Sequence, residues 1–487
     1  MNDDGRASMF VHRVRDLLRG PAATCGPSAS VAEVAALMQR SGAAVVVVDA
    51  DGAPLGIVTD RDLRAKVVAM QRDAGATRAA DVMSSPLVTV KREAIAFEAL
   101  LEMTRREIHH LVVVDAGGLA GVLASDDLLL SQAVHPVALA RDIARARSRE
   151  VLARHAAGVT GLVQRLVDDG GRAGDIARIV AELNDRLVAR VLAQAEAALS
   201  AREASAPMPY CWLVFGSEGR REQTLRTDQD NGLVYADPSP EAAPAAARYF
   251  AGLAQEAIDG LIAIGFPPCP GGAMASNPRW CQPLARWTEY FREWMARPTA
   301  EHILAASMYF DLRPIVGVSA LGESLRALLQ SEAPRHPRFL TAMAKDVVER
   351  PLPVGLLGGL RVRRSGEHAG TVDLKGAGGM QLVGAARVHA LELGLIETGT
   401  TERFRAAGDR GLYTPADVSE IVDAYEELLR LRLQHQLACL REGRAPDNHV
   451  DPNVLSHRDG VLLREALKTV RRVQGMLRER FATDYAV

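Results

Sequence analysis

The sequence predicts a multidomain protein of mixed α/β class: a repeat of small βαββα units, a helical connector, a strand–turn–strand core and a helical C-terminal part. Three observations lead there. A pattern of helix, apolar strand, turn and second strand occurs twice in the first 132 residues, displaced by about 65. A strand-like run, Cys211 to Phe215, breaks at Gly216-Ser217 and is followed by Asp228-Gln229-Asp230 and a second apolar run, Gly232 to Tyr235. Apolar residues recur at helical spacing between 136 and 204 and again beyond 333.

The bulk properties bound the reading. At 487 residues the chain has room for roughly three domains, and 48% apolar content supplies several cores. A formal net charge of −2 argues against a bulk polyanion-binding surface, so no nucleic-acid partner is expected. Five cysteines (Cys25, Cys211, Cys269, Cys281, Cys439) are scattered without paired metal-ligand spacing, which suits free thiols in a reducing cytoplasm. No apolar run approaches the roughly 18 residues of a membrane span, and MNDDGRASMF lacks a signal-peptide core. A cytoplasmic protein without membrane association is expected.

In the first repeat, residues 31 to 63 read as a helix (VAEVAALMQRSG), a buried strand (AAVVVVDA), an Asp51-Gly52 turn, a short strand (LGIVT) and a helix start (DRDL). Residues 95 to 128 give the same order: IAFEALLEMTRREIHH, LVVVDA, a Gly117-Gly118 turn, LAGVLAS and DDL. The copies span about 14–70 and 80–132 within a domain of residues 1–135. This pair resembles a CBS pair, or Bateman module, which implies an adenosine nucleotide such as AMP or ATP between the halves and a homodimer formed through its helices. On that resemblance Thr59 and Asp62 of GIVTDRDL contact phosphate and ribose. In the second copy Asp127 is retained but Ala124 stands where the hydroxyl would be, with Ser125 adjacent. The alternative is that these residues only cap helices. His109-His110 read as surface or packing residues.

Residues 136–204 place apolar residues at helical spacing (Val159, Leu162, Val163, Leu166; Ile176, Ile179, Val180, Leu183, Leu187) in two helices broken at Asp168-Asp169-Gly170-Gly171. They form either a spacer or an element coupling the repeat to the next domain.

Residues 205–330 carry the chemistry. Positions two apart on a strand share a face, so Asp228 and Asp230 present two carboxylates to one point, as a hard divalent cation requires. Gly216-Ser217 lets a phosphate approach backbone N–H groups and a hydroxyl. The string GSEGRREQTLRTDQDN resembles the DNA polymerase β-like nucleotidyltransferases, in the branch related to the N-terminal part of protein-PII uridylyltransferase and often found beside CBS pairs. The resemblance implies an enzyme that moves UMP or AMP from a nucleoside triphosphate to a protein acceptor (PII-like or another signalling protein) or to a small acceptor, with Mg2+ or Mn2+. Asp228 and Asp230 would be catalytic metal ligands, with Asp311 of SMYFDLRPIVG as third ligand or general base. Gly216, Ser217, Arg220 and Arg221 would bind nucleotide. Asp311 has an alternative as a strand-end partner of Arg313. Asn277, Arg279 and Trp280 in the Pro/Gly-rich loop either contact nucleotide or brace the loop.

From 333 to 487 the chain is helical after a turn-rich lead-in, Leu352 to Gly359. GTVDLK at 370–375 resembles the start of the companion C-terminal domain of the same family, and Asp373 and Lys375 are either functional or a structural ion pair. His435 reads as a packing or capping residue. No His-Asp doublet occurs, so the hydrolase half of the uridylyltransferase enzymes has no counterpart. The competing reading of the whole is a catalytically silent signalling protein that senses adenine nucleotides through its repeat.

Overall fold

The computed structural model describes residues 13–18, 20–50, 53–116, 118–128, 136–201, 205–225, 228–354, 360–363 and 365–485. The N-terminal decapeptide, the Asp51-Gly52 turn, Gly117 and residues 355–359 of the lead-in lie outside them. The chain divides into two compact units, Met1–Asp142 with Asp169–Gly171, and Ile143–Asp168 with Arg172–Val487. Among the described residues no helix is long and apolar enough to cross a membrane.

The first unit holds the repeat. Strands β1 (Thr24–Cys25), β2 (Val45–Ala50) and β3 (Ala53–Thr59) form one sheet in that order, and β4 (Thr89–Lys91), β5 (His110–Asp115) and β6 (Gly118–Ala124) form the second. The register repeats as the sequence does: Thr24 pairs with Val47 and Val45 with Thr59, while Thr89 pairs with Val112 and His110 with Ala124. In each copy the first two strands are parallel and the crossover is a helix, Val31–Ser41 or Ala96–Arg106. Ser30 opens the former through a capping box with Glu33.

The second unit is built on a four-stranded sheet, β7 (Tyr210–Val214), β8 (Asn231–Tyr235), β9 (Cys281–Pro283) and β10 (Arg313–Gly317), in the order β10-β7-β8-β9. Every residue of β7 and β8 is buried, which is why both read as continuous apolar runs rather than alternating ones. On one face Phe250 of the helix Ala243–Ala263 stacks on Tyr235 at 4.6 Å. On the other, Phe215 meets Trp287 and Tyr309 at 5.7 and 4.9 Å. β8 runs antiparallel to β7 and β10 does too, so the starts of β8 and β10 and the end of β7 share one edge. The site is assembled there.

Most of the connector, Ile143–Asp168 and the stretch from Arg172, belongs to this unit. Its helix Ala173–Ser200 buries fifteen side chains and ties itself to the core through polar pairs. Asp185 accepts two hydrogen bonds from Arg313, at 2.6 and 2.8 Å, and Glu196 accepts one from Tyr210 at 2.8 Å. C-terminally, Pro337–Glu349, Met380–Leu393, Thr400–Asp409, Pro415–Arg441 and His457–Phe481 form a helical bundle. Within it β11 (Val372–Asp373) pairs antiparallel with β12 (His449–Val450).

Candidate functional site

At the end of β7 the chain enters a tight turn, Gly216–Gly219. Gly216 has φ of 56°, and a Cβ there would sit 3.2 Å from Asp230 Oδ2. A side chain would thus be strained and would crowd the acid pair. Gly219 is more constrained still: a Cβ would meet the Asp311 carbonyl oxygen at 1.8 Å. This second glycine requirement has no local sequence signal, because its partner lies at the start of another strand.

The Asp-Gln-Asp segment lies just ahead of β8 rather than within it, with Gln229 buried between two half-buried acids. Buried Gln229 donates from Nε2 to the Phe266 carbonyl at 3.2 Å, and Asn231 Oδ1 accepts from the Ala275 amide at 2.9 Å. These two side chains stitch the 266–275 loop to the strand. That loop brings Cys269 to Asp228 and Asp230, and the three offer ligand atoms within 4.8 Å of one another. Burial and the Asp228 charge push the Asp230 carboxyl up to about 6, while the Cys269 thiol, Lys375 and Arg220 act against the shift. Asp230 Oδ1 is buried with no hydrogen-bond partner among the described residues. An orphaned carboxylate oxygen beside a second carboxylate fits a hard cation that takes further oxygens from water and phosphate.

Asp311 lies elsewhere in function. It is fully buried, its Oδ1 accepting from Arg387 Nε at 3.1 Å and Arg403 Nη1 at 2.6 Å. Its Oδ2 accepts from Arg220 Nη1 and Arg387 Nη2, both at 2.6 Å. Burial would raise its carboxyl, but Arg387, Arg403 and Arg220 overcome that and hold it well below the usual carboxylate range. The expectation of Asp311 as a general base or third metal ligand is therefore corrected: its oxygens are taken by guanidinium groups and it has no appetite for a proton. Nor does it pair with Arg313, which belongs to Asp185.

Arg220 is likewise committed, with Nε donating to Glu222 at 2.7 Å, so it is not an open phosphate clamp. Arg221 is half-buried with φ of 59°. Ser217 and Arg220 line a cavity of about 30 Å³ with Lys375 and Arg432. Burial and Arg432 lower the Lys375 ammonium, and Asp228 and Asp230 pull it back up. Lys375 does not pair with Asp373, whose Oδ1 instead accepts from the Lys375 and Gly376 amides at 3.1 and 2.9 Å. Asn277 and Trp280 brace their loop: Asn277 Nδ2 donates to the Gly272 carbonyl at 3.0 Å, and buried Trp280 packs on Tyr309 at 4.0 Å. Arg279 stacks over Trp280 at 4.8 Å.

The C-terminal bundle grips the segment after the Gly216–Gly219 turn at further points that sequence reasoning missed. Glu222 accepts from the Thr400 amide at 2.5 Å and from Tyr425 Oη at 2.7 Å. Thr224 donates to Gln436 Oε1 at 2.6 Å. The one available sequence signal was Arg387, a charge inside MQLVGAARVHALEL, whose residues Gln381 to Leu391 are all buried.

In the first unit a cleft of about 610 Å³ is lined by Thr59, Asp62, Lys66, Ser84, His109 and His110 among others. Asp62 accepts from Thr59 Oγ1 at 2.7 Å, from Ser84 Oγ at 3.1 Å and from Lys66 at 2.7 Å. Asp127 takes the Ala124 amide at 2.8 Å and does not line the cleft.

Residues 14–69 and 79–133 match the CBS domain family. Residues 157–301 match the family described as "Putative nucleotidyltransferase DUF294", and residues 337–481 the one described as "Putative nucleotidyltransferase substrate binding domain". The former match begins inside the helical connector. Protein MK0525 of Methanopyrus kandleri is 34% identical over 118 residues, which is 24% of this chain and 60% of that protein. The CBS domain-containing protein YhcV of Bacillus subtilis is 32% identical over 119 residues, 24% of this chain and 84% of that one. Among solved structures, the CBS domain protein PAE2072 from Pyrobaculum aerophilum complexed with AMP aligns at 30% identity and a TM-score of 0.24, covering 25% of this chain and 93% of that one.

The two acids should respond oppositely to neutralisation. Asp311→Asn leaves three buried guanidinium groups short of a counter-charge and should cost about 3–5 kcal/mol in chemical denaturation. Asp230→Asn removes a buried like-charge repulsion and should leave stability equal or higher; a large loss there would contradict the ligand-site assignment. Glu218 supplies a pH signature. Burial, and next Asp185, push its carboxyl from 4.5 up to about 8. Its folded form holds a proton that the unfolded chain releases, so stability is fully present below about pH 4.5 and falls as pH rises toward 8. Glu218→Gln should remove that part of the slope, and denaturation curves across this range that stay parallel for variant and wild type would refute it.

Proposed function

Because the chain belongs to the CBS-domain proteins and carries beside its CBS pair a DUF294 nucleotidyltransferase domain with a companion substrate-binding domain, we propose that it transfers a nucleoside monophosphate from a nucleoside triphosphate to an acceptor hydroxyl under the control of an adenosine nucleotide. The observation that carries this reading is the acid pair Asp228–Asp230 with its orphaned oxygen, set against the Gly216-Ser217 turn. A divalent cation held by Asp228 and Asp230, magnesium or manganese, would neutralise phosphate charge and activate the attacking oxygen. Cys269 is too soft a donor for it and serves as a thiol partner of Asp230.

The chain's own residues do the rest. The turn after β7 offers backbone N–H groups and the Ser217 hydroxyl to the phosphates. Lys375, supplied by the companion domain, brings a positive charge to the same place, and Arg432 stands behind it. Gln229 and Asn231 hold the backbone so that both carboxylates face the substrate. A bond forms between the acceptor oxygen and the α-phosphorus, the bond to the bridging oxygen breaks, and pyrophosphate leaves while the hydroxyl proton passes to solvent. The acceptor, a signalling protein or a small molecule, would lie against the companion bundle. In the CBS cleft Asp62 and Thr59 of the first copy would take the ribose and phosphate, with Lys66 as a counter-charge; Asp127 contributes little.

With nucleotides labelled at the α-phosphate and cell extract as acceptor source, wild-type protein should give a labelled product that disappears in Asp228→Asn/Asp230→Asn and falls by tenfold or more in Lys375→Ala. Absence of label under every condition, with adenosine nucleotide still bound, would instead support a silent sensor. Calorimetric titration should find AMP binding weakened at least tenfold by Asp62→Asn and nearly unchanged by Asp127→Asn; the reverse order would move the ligand to the second copy.

A further inference from the structure

From the placement of three side chains outside the catalytic edge, we infer that His435, Cys439 and Asp447 form a second cation site, for a borderline-soft ion of the zinc class. His435 and Cys439 lie one turn apart on one face of the helix Pro415–Arg441, and Asp447 arrives from the loop at its C-terminal end. His435 Nε2 is 2.8 Å from Asp447 Oδ1 and 3.4 Å from Cys439 Sγ, and Sγ is 4.0 Å from Asp447 Oδ2. His435 thus does more than pack or cap a helix.

The pattern of contacts separates a metal site from a thiol nucleophile. A nucleophile triad uses the two imidazole nitrogens in series, one toward the thiol and the other toward the orienting acid. Here thiol and carboxylate meet the same nitrogen, so three lone-pair donors converge on one volume. Ideal zinc bond lengths place tetrahedral ligand atoms about 3.4–3.6 Å apart, and the observed separations bracket that distance. Thiolate, imidazole and carboxylate together suit zinc and disfavour magnesium or calcium. Cys439 is fully buried, while the His435 and Asp447 side chains are 15% and 30% exposed, which leaves a fourth position open to water. Binding releases the thiol proton to solvent, and His435 offers the Nε2 lone pair as a neutral imidazole with its proton on Nδ1. Arg444 borders the group: it is 3.8 Å from Asp447, bonded to Glu442 at 2.7 Å and close enough to Cys439 for its charge to favour the thiolate.

The site has a structural consequence. Asp447 Oδ1 also accepts the His449 amide at 2.7 Å, and Asn448 Oδ1 accepts from Arg432 at 2.6 Å and Gln436 at 3.1 Å. An ion here fixes the loop into β12, whose partner β11 leads directly to Lys375. Occupancy would set how firmly Lys375 is held.

The test uses full-length Asp228→Asn/Asp230→Asn protein, so that the catalytic acids cannot contribute, stripped with chelator and titrated with Co2+. One equivalent should bind with a thiolate-to-cobalt charge-transfer absorption that Zn2+ displaces. Cys439→Ser should abolish that absorption and Asp447→Asn should weaken Co2+ binding at least tenfold, whereas Cys269→Ser should leave both intact. Partly buried His435→Gln gives the same readout if the buried cysteine variant fails to fold. No thiolate band, a band that survives Cys439→Ser, one that vanishes in Cys269→Ser, or cobalt binding unchanged in His435→Gln would overturn the inference.

Discussion

One buried carboxylate with three arginines joins the turn after β7 to the C-terminal bundle. Asp311 accepts from Arg220 of the turn, Arg387 of Met380–Leu393 and Arg403 of Thr400–Asp409, with four bonds between 2.6 and 3.1 Å. Removing the Asp311 charge from such a cluster leaves buried guanidinium groups uncompensated, which is why it behaves as one unit. Glu222 extends it by binding Arg220, Thr400 and Tyr425. The cluster holds three guanidinium groups against two carboxylates, and this surplus reaches the acid pair: Arg220 is among the charges that favour ionised Asp230. The cage thus positions the Gly216–Gly219 turn and biases the acid pair next to it.

The same arrangement explains what the sequence disclosed. Asp228, Asp230 and the Gly216-Ser217 turn were legible because their geometry is local: a strand end, a tight turn and two acids spaced by one residue just ahead of the next strand. The repeat was legible because both copies keep the same register, Thr24 with Val47 and Thr89 with Val112. Asp311 was misread because its surroundings are not local. Its partners lie 91, 76 and 92 residues away, at Arg220, Arg387 and Arg403, and an apolar run ending in an acid looks the same whether that acid faces a metal or guanidinium groups. Arg387 was visible only as a charge in an apolar helix. His435 appeared bland because Asp447 reaches it from a loop twelve residues on.

The connector shows the same limit. Its helical periodicity was plain, but periodicity does not say what a helix packs against. Asp185 and Asn184 turn it into a wall of the core: the first pairs with Arg313, and the second donates to Gln223 at 2.9 Å, the residue that reaches buried Glu218. The elements around the site therefore come from three stretches of sequence, each satisfying polar groups that the others bury.

The division of labour among the acids can be observed directly by diffraction from crystals grown with Mn2+ and a nucleoside triphosphate analogue that cannot release pyrophosphate. Anomalous density between Asp228 and Asp230, with Asp311 still bonded to Arg220, Arg387 and Arg403, is the predicted result. Density shared with an Asp311 carboxylate that has left its arginines would contradict the account.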